Sequence, residues 1–334
     1  MLRVGIVGAG NIGRIHASAY KQHQLADLVG ICDVVKEKAD SFAAQFDIRP
    51  HYSLGEMLAA EKLDILSVVT SGFENGSHHF EPAMQALEAG VAVLCEKPLS
   101  NDIAQARQLV ARAHELGVCF GTDLNHRFVP IARQAREFID RGDLGEPLFV
   151  NMALWIRNPR EVSPWLHLRA LHPHSIDVMR YFCGDVKRVH AFLNQGPLPD
   201  GGRRTTWSNA SINMQFKSGC VGHLTGSYDM SMYHPIERCE VGGSKARFVI
   251  DNVYERLTIY PHDRPDATVV GNSVFSGIGA FNDTIKHRIA RFLEQIDQKV
   301  PAEQIEASGA DGLAAQEVIE AAIRSWEQGT IVDL

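Results

Sequence analysis

The sequence predicts a two-domain α/β protein, with a doubly wound parallel sheet first and an α+β domain with a mostly antiparallel sheet after it. Three observations predict this. At 334 residues the chain holds two domains of ~100–200 residues each. In its first third, short β-branched runs alternate with helical patterns, which is the signature of βαβ units in a sheet covered on both faces. Beyond residue 186, strand-like runs separated by turns cluster between helices, which reads as antiparallel pairing. The boundaries expected are 1–122 and 123–334.

Leu2–Val7 reads as a buried strand, followed by Gly8-Ala9-Gly10-Asn11-Ile12-Gly13 and a helical pattern through Ile15, Ala19 and Tyr20. A second apolar run, 28–32, ends at Asp33. Lys36–Phe46 reads as helix and 63–69 as strand. A helix over 79–89 has Gly90 as its cap, and 91–95 is strand. A helix over 102–116 closes at Gly117, before a strand at 118–121. In the second half come a helix over 130–141, a strand over 148–156 and a helix starting at Pro173, a residue suited to a first helical position. Strands follow at 189–193, Asn209–Phe216, 221–228, 237–241, 247–250 and 257–260, and helices over 281–298 and 311–328 close the chain.

Composition narrows the function. Lys plus Arg total 33 against 40 Asp plus Glu, a net charge of −7, so there is no basic footprint for nucleic acid. No run of ~18 uncharged apolar residues suggests a membrane span, and Met1 leads into a strand rather than a signal peptide. The six cysteines, Cys32, Cys95, Cys119, Cys183, Cys220 and Cys239, form no CxxC pair and suit reduced thiols in a cytoplasm.

The glycine run is the strongest motif because of its context. It lies between a strand and a helix, and an acid follows Gly13 by twenty residues. In a Rossmann unit Gly8 makes the tight turn, Gly10 lets the backbone approach a pyrophosphate, and Gly13 lets helix pack on strand. Asn11 and Ile12 open the helix, offering free N–H groups and partial positive charge to phosphates. Asp33 is placed to accept from the adenosine ribose diol and to repel a 2′-phosphate. NAD is therefore expected over NADP, with Lys36 and Lys38 as the counter-argument.

Lys97, in Cys95-Glu96-Lys97-Pro98, sits past the carboxyl end of a strand, where open α/β sheets bind ligands. It reads either as a tuned proton donor and acceptor or as an ordinary loop lysine. Beyond it, His174 follows Pro173, so the helix dipole at that first turn disfavours a charged imidazole. A neutral base or relay fits, as does a helix-end packing histidine.

These motifs, with Ala86-Leu87-Glu88-Ala89-Gly90, Asn125, Arg127-Phe128, His174-Ser175-Ile176-Asp177, Arg180-Tyr181 and Gly184-Asp185, resemble the Gfo/Idh/MocA oxidoreductases along essentially the whole chain. The resemblance implies an N-terminal Rossmann domain, a C-terminal domain whose open sheet serves homodimer or homotetramer contacts, and hydride transfer between NAD(P) and a secondary alcohol of a sugar, inositol or sugar acid. It implies that Lys97 handles the hydroxyl proton with His174. Thr70 with Ser71, His79, Glu96 and Asn125 would then line the cofactor. Two departures stand out: Ala170 occupies the place of an aspartate four residues before the histidine, and the loop 70–79 is longer than usual.

The segment 165–174 is dense in polar rings. Trp165 suggests stacking on a pyranose or core packing, Arg169 a carboxylate clamp or a plain ion pair, and His172 a substrate partner in place of the missing aspartate. Three other readings compete with the dehydrogenase. One is an NAD-binding sensor without turnover. Another is a redox-neutral NAD-using lyase. The last is a metal site from His167, His172 and His174 with His234, which Pro173 argues against by turning the rings apart.

Overall fold

A computed structural model of the chain describes residues 1–233, 235–273 and 277–334. Strands β1 (Leu2–Val7), β2 (Ala26–Cys32), β3 (Arg49–His51), β4 (Ile65–Val68), β5 (Ala92–Cys95) and β6 (Phe120–Thr122) alternate with helices α1 (Asn11–Gln22), α2 (Lys36–Phe46), α3 (Leu54–Glu61), α4 (Phe80–Glu88) and α5 (Ile103–Leu116). Then come α6 (Pro130–Asp140), β7 (Pro147–Trp155), α7 (Leu166–Leu171) and α8 (Pro173–Cys183). The strands β8 (Val186–Asn194), β9 (Asn209–Phe216), β10 (Val221–Ser227), β11 (Glu237–Gly243), β12 (Ala246–Asp251), β13 (Arg256–Pro261) and β14 (Thr268–Gly271) follow. The chain ends in α9 (Asn282–Asp297), α10 (Gly309–Gln328) and β15 (Val332–Asp333).

Two units result, and each is discontinuous in sequence. The first comprises residues 1–125 and 280–314, the second 126–279 and 315–334. The sequence reading ran the second domain unbroken from 123 to 334; the structure corrects it, because α9 belongs to the first unit. The reason is packing: Ile285, Ile289, Phe292 and Leu293 fall on one helical face and share a core cluster with Val4, Ile6, Ala17 and Tyr20.

In the first unit the six strands pair in parallel in the order β3-β2-β1-β4-β5-β6. That is the doubly wound dinucleotide order, which opens a crevice between β1 and β4 where the winding reverses. The period-2 rule sorts the strand residues: Val4, Ile6, Ile65 and Leu94 face the cluster under α1, α2 and α9, while Val7, Leu66, Val68 and Val93 face the one under α3, α4 and α5.

In the second unit nine strands run in the order β14-β13-β12-β11-β7-β10-β9-β8-β15. All pairs are antiparallel except β7 with β10. Along β9, Ala210, Ile212, Met214 and Phe216 are buried in the core with Met179 and Phe182 of α8. The opposite face of the sheet carries exposed apolar side chains, Phe192 on β8 and Val221 on β10. Among the described residues no helix is long and apolar enough to cross a membrane.

Candidate functional site

At the crevice of the first unit, a cleft of about 470 Å³ is lined by Gly8, Gly10, Asp33, Thr70 and Ser71, with Lys38 at its wall. Gly8 has φ +110°, and a Cβ there would lie 2.9 Å from the Val69 and Thr70 backbone, so no side chain fits this turn. At Gly13 a Cβ would come 2.3 Å from the Gly8 carbonyl oxygen, which explains its role in packing α1 against β1. Gly10 is different: a Cβ there meets nothing within 4 Å. The cradle beside the start of α1 is open, which is what a pyrophosphate needs.

Asp33 is held by its two oxygens. Oδ2 accepts from the Ala9 N–H at 2.9 Å and Oδ1 from the Val35 N–H at 2.9 Å. Each oxygen keeps a lone pair for a ribose hydroxyl. Beside it stands Val34, apolar and 86% exposed, and Lys38 is the one lysine or arginine on the cleft wall among the described residues. These residues fit a dinucleotide.

The loop after β4 is pinned rather than free. Thr70 Oγ1 donates to the His78 carbonyl at 2.6 Å. Asn101 accepts from the Gly76 N–H at 3.0 Å and donates to the Phe73 carbonyl at 2.6 Å. His79 Nδ1 lies 2.6 Å from the Pro98 carbonyl, so that nitrogen carries the proton, and burial holds the imidazole below its usual pKa. Lys97 and Glu96 sit at the carboxyl end of β5. Burial pulls the Lys97 ammonium below its ordinary range, opposed by the charges of Glu96 and Asp123. Asn125 donates through Nδ2 to Thr284 Oγ1 at 2.6 Å. Its buried Oδ1 has no hydrogen-bond partner among the described residues.

In the second unit, His174 lies in the first turn of α8 with Pro173 at the helix start. Its ring stacks on His126, centroids 4.5 Å apart and planes at 2°. His126 Nδ1 is 3.1 Å from Glu237 Oε2, and both residues are buried. Arg127 Nε donates to Asp177 of α8 at 2.9 Å, and a second contact between the same groups makes the pair bidentate. This pair holds the 126–128 turn against the helix that carries His174.

The family models decide the classification. A model described as "Oxidoreductase family, NAD-binding Rossmann fold" matches residues 2–124, and the "GFO/IDH/MocA C-terminal domain" matches 132–249. The chain belongs to the Gfo/Idh/MocA oxidoreductases. It is an NAD-binding oxidoreductase with the Rossmann unit expected. It is similar to myo-inositol 2-dehydrogenase of Thermotoga maritima (26% identity, covering 100% of this chain and 98% of that one). The D-glucoside 3-dehydrogenase of Escherichia coli shows 27% identity, covering 100% and 97%. In fold it matches levoglucosan dehydrogenase in complex with NADH and levoglucosan, with a TM-score of 0.86 at 21% identity and coverage of 100% and 99%.

Within this Gfo/Idh/MocA chain the structure groups Gly8, Gly10, Asp33, Thr70 and Ser71 in one cleft. Asn11 and Ile12 open α1 beside it. It moves His79 out of the lining: the ring is 1% exposed and braces the Pro98 carbonyl, while His78 faces the cleft. The three substrate candidates of the 165–174 segment have other partners. Arg169 forms a bidentate pair with Glu320 at 2.7 and 3.0 Å, which corrects the clamp reading. Trp165 stacks on Trp207 and packs against the core. His172 is fully buried, with Nδ1 3.0 Å from Ser175 Oγ and Nε2 3.0 Å from His167 Nε2.

The tautomers of that pair follow by elimination. His167 Nδ1 must donate to the Trp207 carbonyl, 3.1 Å away. Its Nε2 therefore accepts from His172 Nε2–H, and His172 Nδ1 accepts from Ser175. Burial drives the His167 pKa down to about 4 and His172 well below its usual value. With all four nitrogens engaged, the metal reading of His167 and His172 has no free ligand atom, and His234 lies outside the described residues. Ala170 is on α7 in an apolar cluster with Leu154, Leu166, Leu171 and Tyr228, a place where a carboxylate would find little solvation.

Sequence reasoning missed His126 and Glu237, which sit beside His174, and His16 and Asp123, which sit behind Glu96. His126 lies between two motif residues and was within reach. Glu237 reads as a strand residue, and only the fold brings it to the histidines.

Proposed function

We propose that the chain is an NAD-dependent dehydrogenase that transfers hydride between nicotinamide and a secondary alcohol of a sugar, inositol or sugar-acid substrate. The observation that carries this reading is the combination of a fitted dinucleotide cleft with a desolvated Lys97 at the strand end. The cofactor, when bound, supplies the hydride acceptor. Residues of this chain do the rest. The glycine turn and the N-terminus of α1 hold the pyrophosphate, and Asp33 selects the unphosphorylated ribose. Lys97, whose burial favours the neutral amine, takes the hydroxyl proton, and His174 is the second residue proposed to handle protons. Because Ala170 offers no carboxylate, Glu237 acting through His126 is the acid group beside His174 that balances a proton arriving there. Supporting the substrate class are the similar dehydrogenases of inositol and glucosides.

The test is NADH and NADPH titration, followed by incubation with NAD and a panel of sugars, inositols and uronic acids. Turnover on one member, lost in Lys97→Ala with NADH binding retained, is the expected result. Binding with no turnover on any member refutes the reading in favour of a sensor or a redox-neutral lyase. The open sheet face with Phe192 and Val221 leads us to expect a homodimer or homotetramer by light scattering. The six free cysteines lead us to place the enzyme in the cytoplasm.

A further inference from the structure

Behind Lys97 the first unit buries a polar cluster that the reaction as described leaves unused. His16, one turn into α1, is 0% exposed. Its Nε2 is 3.2 Å from Asp123 Oδ2 and 3.4 Å from Glu96 Oε1. On the other side of the ring, Nδ1 lies 3.2 Å from Ser67 Oγ, which is 2.6 Å from the Tyr20 hydroxyl. Glu96 faces both ways: Oε1 approaches His16, and Oε2 accepts from the Lys97 backbone N–H at 3.2 Å.

We propose that His16, as an imidazolium, is the counter-cation of the buried Glu96–Asp123 pair, and that this trio sets the proton affinity of the Lys97 amine. His16 and Asp123 are then positioning residues, acting through Lys97. The inference rests on the reading of Lys97 as the residue that handles the proton.

The position of the ring supports its charge. A neutral imidazole with its N–H on Nε2 accepts from the Ser67 hydroxyl at Nδ1, so hydrogen bonding by itself permits either form. What favours the cation is the pair of carboxylate oxygens 3.2 and 3.4 Å from one nitrogen of a fully buried ring. The two carboxylates raise the His16 pKa to about 9 against the opposing pull of burial. Charge accounting gives the consequence. The charges of Glu96 and Asp123 each favour the Lys97 ammonium, and Glu96 is tied to Lys97 through the backbone N–H. With both carboxylates ionised and His16 charged the trio carries −1. With a neutral residue in place of His16 it carries up to −2, less whatever Glu96 recovers by taking a proton, since burial and Asp123 push its carboxyl up. The added negative charge favours the Lys97 ammonium. The other groups facing the cluster do not provide that balance. His79 is held neutral by burial, the Cys95 thiol and Tyr20 phenol are pushed up by burial, and Arg288, whose charge reaches Tyr20, donates to the Thr122 and Ala307 carbonyls.

The experiment reads Lys97 directly on the full chain and needs no substrate. Trace acetylation by acetic anhydride across a pH series, quantified on the Lys97 peptide by mass spectrometry, reports the amine's titration. His16→Gln is expected to shift that titration up by about one unit or more, Asp123→Asn to shift it down, and the double variant to return near the wild type. Shifts of the same sign, or none, in variants that still bind NADH overturn the proposal. A titration that moves on adding Zn²⁺ to the wild type also overturns it, since the trio would then hold a cation. Should the variants not fold, the wild type still decides. Carbon-13 NMR of labelled histidine must show one ring still in the imidazolium form at pH 8, and its absence refutes the inference. Failure of the polyol panel leaves these readouts untouched, so the two readings fail separately.

Discussion

Gly10→Ala separates folding from binding at one position. Its backbone is extended, φ −84° and ψ −170°, which alanine adopts without strain, and the new Cβ meets no atom within 4 Å. Folding should therefore be unharmed, or gain about 0.4–1 kcal/mol because the unfolded chain loses freedom. Binding is where the methyl acts. It fills the space through which a pyrophosphate would reach the first N–H groups of α1. One charge-assisted hydrogen bond lost there is worth about 1.5–3 kcal/mol, so NADH affinity should fall about 10- to 150-fold. Gly8→Ala is the contrasting control, since φ +110° and backbone atoms 2.9 Å away should cost folding itself. Calorimetric NADH titration beside thermal melts reads both. A Gly10→Ala protein that binds NADH like the wild type would refute the cradle assignment and, with it, the placement of the cofactor.

Three further outcomes are expected. Asp33→Asn keeps a shape but loses the charge that accepts from Ala9 and Val35; NADH affinity should fall about tenfold while the NADPH-to-NADH affinity ratio rises, measured by fluorescence titration. Ala170→Asp places a carboxylate among Leu154, Leu166, Leu171 and Tyr228 and should cost about 3 kcal/mol or more, read by urea unfolding; a stable, more active variant would show that position 170 is reached by the substrate. Acidification should destabilise the second unit. His167, held at about 4 by burial, is neutral in the folded protein, whereas the unfolded chain takes up a proton below about 6.5. Its contribution is thus present above pH 6.5 and is lost as pH falls from there to about 4, by about 3 kcal/mol in all. Melts between pH 4 and 7 should show the decline, and His167→Gln should reduce it, the remainder belonging to His172, which burial also holds well below its usual pKa.

Legibility tracked the range over which each feature is encoded. Strands such as Leu2–Val7 and Asn209–Phe216 match the reading to the residue, because buried β-branched runs and strict alternation are local signals. The glycine turn and Asp33 were readable for the same reason: spacing along the chain fixes their spacing in the cleft. Arg49–His51 and Thr268–Gly271 escaped notice as short edge strands of mostly exposed residues, and Leu54–Glu61 and Leu166–Leu171 as helices of about two turns with little room for periodicity. Arg169 looked free to clamp a ligand because Glu320, its partner, is 151 residues away. His16 carries no signal of its own in the sequence, since the carboxylates beside it arrive just after β5 and just after β6. The amphipathic face of α9 was visible, but nothing in its pattern says which sheet it covers.

The order of synthesis leaves one face of the first unit bare for a time. The sheet face bearing Val4 and Ile6 is completed by Ile285, Ile289 and Phe292, which the ribosome adds only after the whole of the intervening unit. At ~5–20 residues per second, the wait from residue 125 to residue 280 lasts roughly 8–30 s. During that interval the nascent dinucleotide unit shows an uncovered apolar surface. It is a natural point for chaperone engagement, and a truncated chain ending near residue 122 would carry the same uncovered surface permanently.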